Sequence, residues 1–471
     1  MSRSPPWATP TSSLDRFRWT CRRCASTRPS AKRTTSSRAT APLLPKFLLR
    51  PRSSMRLASP MESFQPHCPG DASVVVSRRA SADVVGGGPR EMRGKCAGNA
   101  REMRAKCRNS LVSSLVSHWV RTSDEVAQAL ASGGAVVALE TAAVTHGLPR
   151  TPLATMPEFL NDPTLPRSVR ACFGDSVPVH RALGHALAAA VREEGAVPAT
   201  VGMLRGTLVI GLSASELDEL ADMSEVHKIA ARDVALVAAR RGSGGTTVAG
   251  TLFACQRATP TPIKIFATGG IGGVHRGYAQ LPDISADLFA LRETSTLVVC
   301  AGAKSILDLP ATVEMLDTLG VPLIGLNTPY FPRFLCDGAP PLFVNTSVTD
   351  EREAAYFFAT QQAFLRASQD SLQQTQQHTA HDPRGMLLCV PPPAAYALQL
   401  DEMERAVDEG LAQADRVGAR GPDVTPVLLD AVARATQGRS LACNLAVLVN
   451  NARVAARVAV ELTRQVGGRH A

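Results

Sequence analysis

The chain has 471 residues, of which 45% are hydrophobic and 20% charged, a balance that is typical of a globular protein. The net charge of +10 is unevenly placed. Residues 1–120 hold 22 Lys and Arg against 6 Asp and Glu, whereas residues 121–471 hold 29 against 35. An acidic folded region disfavours nucleic acid as a partner, and the lack of an unbroken run of about 18 apolar residues disfavours a membrane-spanning helix.

Residues 1–120 are interpreted as a basic, disordered leader. Residues 1–60 hold 13 Lys and Arg, many Ser and Thr and a single acid, Asp15, which is typical of a mitochondrial transit peptide. We therefore expect a mitochondrial protein. The alternative is an over-extended gene model whose true start is an internal methionine such as Met103, which would place the protein in the cytoplasm. Cys21-Arg-Arg-Cys24 lacks a second pair at zinc-binding spacing, and the six cysteines after residue 120 are expected to be buried thiols.

Residues 121–471 are predicted to form one catalytic domain. Ser123 is predicted to cap a helix over residues 124–131, and a buried strand follows over 135–139. Strands are then predicted at 200–204, 263–267, 297–301, 322–326 and 386–390, and helices at 179–194, 215–223, 233–240, 287–292, 310–319 and within 401–465. This alternation predicts an α/β fold, a three-layer α/β/α arrangement with a mainly parallel central sheet.

Two stretches are interpreted as inserted surface loops. Residues 149–177 are rich in Pro and Asp without clear periodicity, and residues 348–382 are rich in Gln. The second stretch is consistent with either helix or disorder.

Two candidate reactive side chains follow predicted strands. Glu140 ends the strand at 135–139, where burial would raise its pKa and favour general acid catalysis; the alternative is an exposed or salt-bridged glutamate. Lys304 lies just beyond the strand at 297–301, where loss of water would free its amine for Schiff-base chemistry or leave it as a phosphate ligand. The alternative is a lysine whose head reaches solvent.

Two further segments combine small residues with polar ones. Ser243-Gly-Gly-Thr-Thr247 could cradle a phosphate with backbone N–H groups, although an ordinary turn is an alternative. Ala267-Thr-Gly-Gly-Ile-Gly-Gly-Val-His-Arg276 allows a ligand to approach the backbone closely. Downstream, Asp283 and Asp287 are expected on one face of a helix start, where they could hold a divalent cation; a helix cap plus one solvated acid is the alternative.

These segments together resemble the pseudouridine-5′-phosphate glycosidase family, also called the indigoidine synthase A family. The similar blocks occur in the same order across about residues 121–465. They are Gly195-Ala-Val-Pro-Ala-Thr200, Ser243-Gly-Gly-Thr-Thr-Val248, the glycine run at 267–277, Asp283-Ile-Ser-Ala-Asp287, residues 300–308, Gly438-Arg-Ser-Leu441 and Asn450-Asn-Ala-Arg453.

The resemblance implies an enzyme of the lyase class that reversibly cleaves pseudouridine 5′-phosphate to uracil and ribose 5-phosphate. It implies that Lys304 forms an imine with C1′ of the ribose, that Glu140 donates or accepts a proton, and that Asp283 binds Mn²⁺. It also implies a homotrimer. The substrate-binding residues implied are Lys228, Thr247, Val248, Thr268, His275, Ser285, Ala286, Asp287 and Asn444.

The chain departs from the family pattern around the substrate. Ala230 and Ala231 replace a hydroxyl and a cation, and Val390 replaces a polar residue near the base. These departures leave open a Schiff-base lyase or glycosidase that acts on another sugar phosphate. A different alternative is an RNA-binding protein that uses the basic N-terminal arm, which the acidic balance of residues 121–471 disfavours.

Overall fold

The computed structural model describes residues 119–153, 155–280, 282–337, 340–373, 383–419 and 424–467. Almost all of the basic leader, including the transit-peptide signal, therefore lies outside the described residues. The first described strand begins at Val120, which is the last residue of the stretch interpreted as leader. None of the described helices is both long and apolar enough to cross a membrane.

Within the described residues, eleven strands form one sheet, with the order β1-β4-β3-β2-β7-β9-β14-β11-β13 and with β6 joining β5 to β3. The remaining four form two small pairs, β8 with β10 and β12 with β15. In chain order the strands are β1 Val120–Thr122, β2 Val136–Leu139, β3 Val197–Leu204, β4 Thr207–Ile210, β5 His227–Ile229, β6 Gly244–Thr246, β7 Ile265–Ala267, β8 Val274–His275, β9 Leu297–Cys300, β10 Leu307–Asp308, β11 Leu323–Leu326, β12 Cys336–Asp337, β13 Thr346–Val348, β14 Met386–Cys389 and β15 Leu398–Gln399.

The centre of this sheet is parallel, as predicted. Strand β2 lies between β3 and β7, and β7 continues through β9 and β14 to β11, all with parallel pairing. Strand β3 pairs antiparallel with β4 and β6. Parallel strands place their carboxyl ends at one edge of the sheet, and this geometry brings sequence-distant segments together.

Helices cover both faces of the sheet. Along β2, Val136 and Ala138 belong to one buried cluster and Val137 and Leu139 to the other, as expected for side chains that alternate between two faces. The α-helices are α1 Asp124–Ala131, α2 Arg167–Arg170, α3 Val179–Glu193, α4 Ala214–Asp222, α5 Val234–Ala239, α6 Val248–Cys255, α7 Ala286–Arg292, α8 Leu309–Thr318, α9 Glu351–Gln373, α10 Leu400–Val417, α11 Val424–Ala435 and α12 Arg439–Gly467. The three-layer α/β/α prediction is confirmed.

The predicted central strands and the helices around them are confirmed to within about three residues. Ser123 caps α1 as expected, since its hydroxyl accepts the N–H of Val126. Strand β4 was not predicted from the sequence. It follows β3 after Arg205-Gly206, both of which have positive φ, and this tight turn was the signal for a hairpin.

The two predicted loops are partly regular. Residues 149–177 contain a 3₁₀ turn at Glu158–Asn161 and the short helix α2, and Phe159 packs edge-on against Phe173 in the core. The Gln-rich stretch forms helix α9 over Glu351–Gln373, so helix rather than disorder is confirmed for that part. Residues 374–382 lie outside the described residues. All six cysteines after residue 120 are free thiols, and all except the half-buried Cys172 are buried.

Gly302 is a position where only glycine fits. Its φ is +74°, and a Cβ there would overlap the carbonyl oxygen of Pro332. We expect Gly302→Ala to lower the free energy of unfolding by about 1–3 kcal/mol from backbone strain, with the steric overlap adding to it. Urea denaturation measures this. Gly418→Ala is the matched control, because Gly418 has a φ of +69° but open space around it, so its loss should be smaller, about 1 kcal/mol.

Candidate active site

The candidate catalytic side chains lie where three adjacent parallel strands end. Glu140 follows β2, Thr268 follows β7, and Lys304 follows β9 after a short turn. Strands β2, β7 and β9 are neighbours in the sheet. The structure therefore brings together the glutamate and lysine that the sequence placed 164 positions apart.

Glu140 lies in an environment that favours its protonated form. Burial is the largest cause and raises the pKa of the carboxyl group, while the charge of Lys304 and then the hydrogen bond from Thr268 lower it. The Thr268 hydroxyl donates to Glu140 Oε1. The raised pKa is consistent with the expectation that Glu140 exchanges a proton during catalysis near neutral pH.

Lys228 adds a second cation to this site. It lies on β5, and burial followed by the charge of Lys304 lowers the pKa of its amine, whereas Glu140 and Asp287 raise it. Two cations, Lys228 and Lys304, and two carboxylates, Glu140 and Asp287, therefore lie close enough for their charges to shift the pKa values of Glu140 and Lys228. Such a cluster can bind an anion and transfer protons beside it.

The sequence allows either a phosphate-cradling loop or an ordinary turn at residues 243–247, but the centre of this segment is a strand, so the expected loop geometry is wrong. Gly244–Thr246 forms β6, in which Gly245 pairs with Lys228. A Cβ on Gly245 would overlap the side chain of Thr145, which explains why glycine occupies a strand. Thr247 then caps α6 by accepting the N–H of Gly250 at 3.3 Å, and Val248 begins that helix. Both therefore lie directly after the strand that pairs with Lys228.

Asp287 is tied to the backbone by both carboxylate oxygens. Oδ1 accepts the N–H of Ala249 and Oδ2 that of Gly272, each at 2.9 Å, and the residue is only 6% exposed. Ser285 caps α7, and Ala286 is the first residue of that helix. The run Ser285–Asp287 therefore lies beside Gly272 and Gly273 of the glycine-rich stretch at residues 267–276.

The expected pairing of Asp283 with Asp287 on one helix face is wrong, because α7 begins only at Ala286. Asp283 instead faces His275, with 3.8 Å between Oδ2 and Nδ1, and its side chain is 40% exposed. Among the described residues, no three His, Cys, Asp or Glu side chains converge as metal ligands. One carboxylate and one imidazole suit at most an ion that keeps most of its water, which is ordinary behaviour for hard divalent cations.

The glycine loop, residues 267–276, pairs with the lysine segment, residues 301–305. Ala301 N donates to Gly269 O at 2.7 Å, Ile271 N to Gly302 O at 3.0 Å, and Lys304 N to Ile271 O at 3.1 Å. Beyond this ladder, His275 on β8 pairs with Leu307 on β10. The backbone of Lys304 is therefore fixed by the glycine loop.

Helix α12 contributes a residue that the sequence reasoning did not assign. Asn451 is 1% exposed, and its Nδ2 donates to the carbonyl oxygens of Thr268 at 2.8 Å and Gly269 at 3.3 Å. Asn444, the expected base-reading residue, is half-buried two helical turns earlier and so lies on the same face of α12. The block Asn450-Asn-Ala-Arg453 was the signal, but nothing in it distinguished the buried asparagine from its neighbour.

The fold and this site define a class of protein: an α/β/α enzyme with a lysine and a protonatable glutamate at the carboxyl edge of a parallel sheet. Residues 173–461 match the family described as indigoidine synthase A like protein. The chain belongs to this family.

Named relatives agree with this membership. The chain is 42% identical to a pseudouridine-5′-phosphate glycosidase of Chloroflexus aurantiacus over 73% of this chain and 99% of that protein. It is 40% identical to one of Herpetosiphon aurantiacus over 73% and 97%. Among solved structures, the prealnumycin C-glycosynthase in complex with ribulose 5-phosphate has 34% identity and a TM-score of 0.58, covering 74% of this chain and 99% of that one.

Proposed function

We propose that this protein reversibly cleaves the C–C glycosidic bond of pseudouridine 5′-phosphate to give uracil and ribose 5-phosphate. The observation that carries the proposal is the placement of Lys304 beside the half-buried Glu140, whose pKa is raised by burial, at the carboxyl edge of the sheet. The relatives named pseudouridine-5′-phosphate glycosidase support the same substrate. The solved relative with ribulose 5-phosphate supports a sugar phosphate.

A C–C bond offers no basic leaving atom, so its cleavage needs a nitrogen lone pair on C1′ that can push the electrons of the bond onto the base. In the proposed sequence the Lys304 amine adds to C1′ as the C1′–O4′ bond breaks, which opens the ribose ring; O4′ takes up a proton and the nitrogen loses one. Proton transfer to C5 of the base then lets the C1′–C5 bond break, with its electron pair going to uracil and C1′ becoming an iminium on Lys304. Water hydrolyses the iminium, which releases ribose 5-phosphate and regenerates the amine.

The surrounding residues are proposed to hold the substrate. Lys228 supplies a point charge for the 5′-phosphate, and it lies beside the segment that carries Thr247 and Val248. Thr268 belongs to the glycine loop and the Ser285–Asp287 run lies against it, so both are close to where the sugar would bind. His275 is proposed as a proton shuttle, and Asn444 as the side chain that pairs with the uracil edge.

We propose that Asp283, whose side chain is 40% exposed, holds Mn²⁺ largely through water. When bound, the ion would orient the substrate and polarise an oxygen of it. We expect dialysis against EDTA to abolish uracil release and added Mn²⁺ to restore it, and we expect Asp283→Asn to raise the Mn²⁺ concentration needed for half-maximal activity about tenfold or more. Full activity after complete chelation would contradict the metal assignment. A homotrimer remains a proposal that the family resemblance supports.

The hydroxyl of Thr268 provides a test of the Glu140 environment. Its hydrogen bond to the carboxylate lowers the pKa of Glu140, so Thr268→Val should shift the Glu140-dependent limb of the kcat/KM profile to higher pH. Thr268→Ser keeps the donor and is the matched control. A limb that stays in place in the valine variant would show that this hydrogen bond does not act in the working enzyme.

The proposed substrate is tested by ultraviolet absorbance. Purified protein with Mn²⁺ should release uracil from pseudouridine 5′-phosphate and should form that nucleotide from uracil and ribose 5-phosphate. No turnover of this nucleotide, together with turnover of another sugar phosphate, would overturn the proposal in favour of the rival activity left open by Ala230, Ala231 and Val390.

A further inference from the structure

We infer that Arg276 is a positioning residue for Lys304, acting through an ion pair with Glu404 on helix α10. The inference rests on the proposed imine chemistry of Lys304. It concerns a side chain that the reaction scheme leaves without a role, at the end of the glycine loop.

Arg276 joins three parts of the chain. Its Nη1 donates to Glu404 Oε2 at 2.7 Å and its Nη2 to Glu404 Oε1 at 2.9 Å, which is a two-pronged arginine–carboxylate contact. The same Nη2 donates to the carbonyl oxygen of Ser305 at 3.3 Å. Because Ser305 directly follows Lys304, the guanidinium connects the lysine segment to a helix 128 positions away in sequence.

Both ends of this connection are fixed. On one side, the backbone ladder between the glycine loop and the lysine segment holds Lys304 N to Ile271 O at 3.1 Å. On the other side, Glu404 lies on α10 next to the buried Met403, whose helix packs Ala406 and Val407 into the core. The paired hydrogen bonds restrict the orientation of the guanidinium more than a single contact would.

This geometry matters because imine formation requires the amine to lie close to C1′ with the correct alignment. A displacement of about 1 Å can cost about a hundredfold in rate. Without Arg276 the lysine segment keeps its backbone ladder and the hydrogen bond from the Ser305 hydroxyl to the Arg333 carbonyl oxygen at 2.6 Å, but it loses the hydrogen bond to the Ser305 carbonyl oxygen. We therefore expect the chemical step to slow, while substrate binding changes little.

The experiment compares two ion pairs on the same helix. Arg276→Met and the milder Glu404→Gln break the pair at the site. Glu402→Gln is the matched control. Glu402 lies two positions before Glu404 on the same helix and pairs with Arg439, and within the described part of the chain it makes no hydrogen bond to the lysine segment. For each variant we would measure the single-turnover rate of borohydride trapping with saturating ribose 5-phosphate, the KM for pseudouridine 5′-phosphate and the melting temperature.

We expect Arg276→Met to slow trapping by about 10- to 100-fold, with KM changed less than about threefold, and Glu404→Gln to show a smaller loss of the same kind. Arg276→Lys, which keeps the charge but not the fork, should recover part of the rate. Trapping within twofold of wild type in both Arg276→Met and Glu404→Gln, or an equal loss in Glu402→Gln, would overturn the inference. Failure of the wild-type protein to trap label on Lys304 would instead count against the proposed function.

Discussion

Replacing Lys304 by arginine should reduce kcat/KM for pseudouridine 5′-phosphate by roughly 10³- to 10⁶-fold, the range seen when a covalent nucleophile is removed. Arginine keeps a positive charge beside Glu140 but stays protonated and cannot form an imine. Binding of the nucleotide should therefore survive while turnover is lost. Steady-state kinetics together with equilibrium binding of the product ribose 5-phosphate separate the two effects.

A second lysine provides the control. Lys264 precedes β7, at the amino edge of the sheet, and burial is the largest cause that lowers the pKa of its amine. Its Nζ donates to the Ser295 carbonyl oxygen at 3.5 Å. Lys264→Arg should leave turnover near the wild-type rate. Borohydride trapping followed by peptide mapping should label Lys304, and label on Lys228 or Lys264 would refute the assignment.

Glu140→Gln should lower kcat by about 10²- to 10⁴-fold, the usual contribution of general acid–base catalysis. Glutamine has nearly the same shape and can still accept the hydrogen bond from Thr268, so the pocket should keep its form. The loss would then measure proton transfer. Glu194→Gln is the control, because Glu194 pairs with Arg453 and Arg457 before β3 begins, at the amino edge of the sheet.

The pH dependence gives the direction of this proton transfer. Burial raises the pKa of Glu140, so the limb of the kcat/KM profile that reports this group should lie at a pH above the ordinary glutamate pKa of about 4.3. If Glu140 donates the proton during cleavage, kcat/KM should fall as pH rises through that pKa, since the acid form is lost. The limb should disappear in Glu140→Gln. A limb with the opposite slope would identify Glu140 as a base in the cleavage direction.

The sequence by itself determined the central architecture and the two reactive side chains. Strands buried on both faces are continuous apolar runs, so β2, β9 and β14 could be predicted from composition and length alone. Glu140 and Lys304 could be singled out because each polar side chain follows such a run. Their joint role came from the resemblance, since neither signal was specific by itself.

The residues that surround Glu140 and Lys304 could be identified only from the tertiary structure. Whether residues 244–246 form a loop or a strand depended on Lys228 and Thr145, which pack against them from other elements. The oxygens of Asp287 bind N–H groups of Ala249 and Gly272, and nothing local in the sequence specifies those partners.

The same limit applies to two residues whose hydrogen-bond partners no sequence pattern indicated. Asn451 reaches Thr268 across 183 positions, and Arg276 reaches Glu404 across 128. A periodic pattern indicates only which face of a helix or strand is buried, because side chains change direction along each element with that element's own period. Hydrogen-bond partners depend on how the elements pack, so the sequence determined which groups could react, and the tertiary structure decided which groups hold them in place.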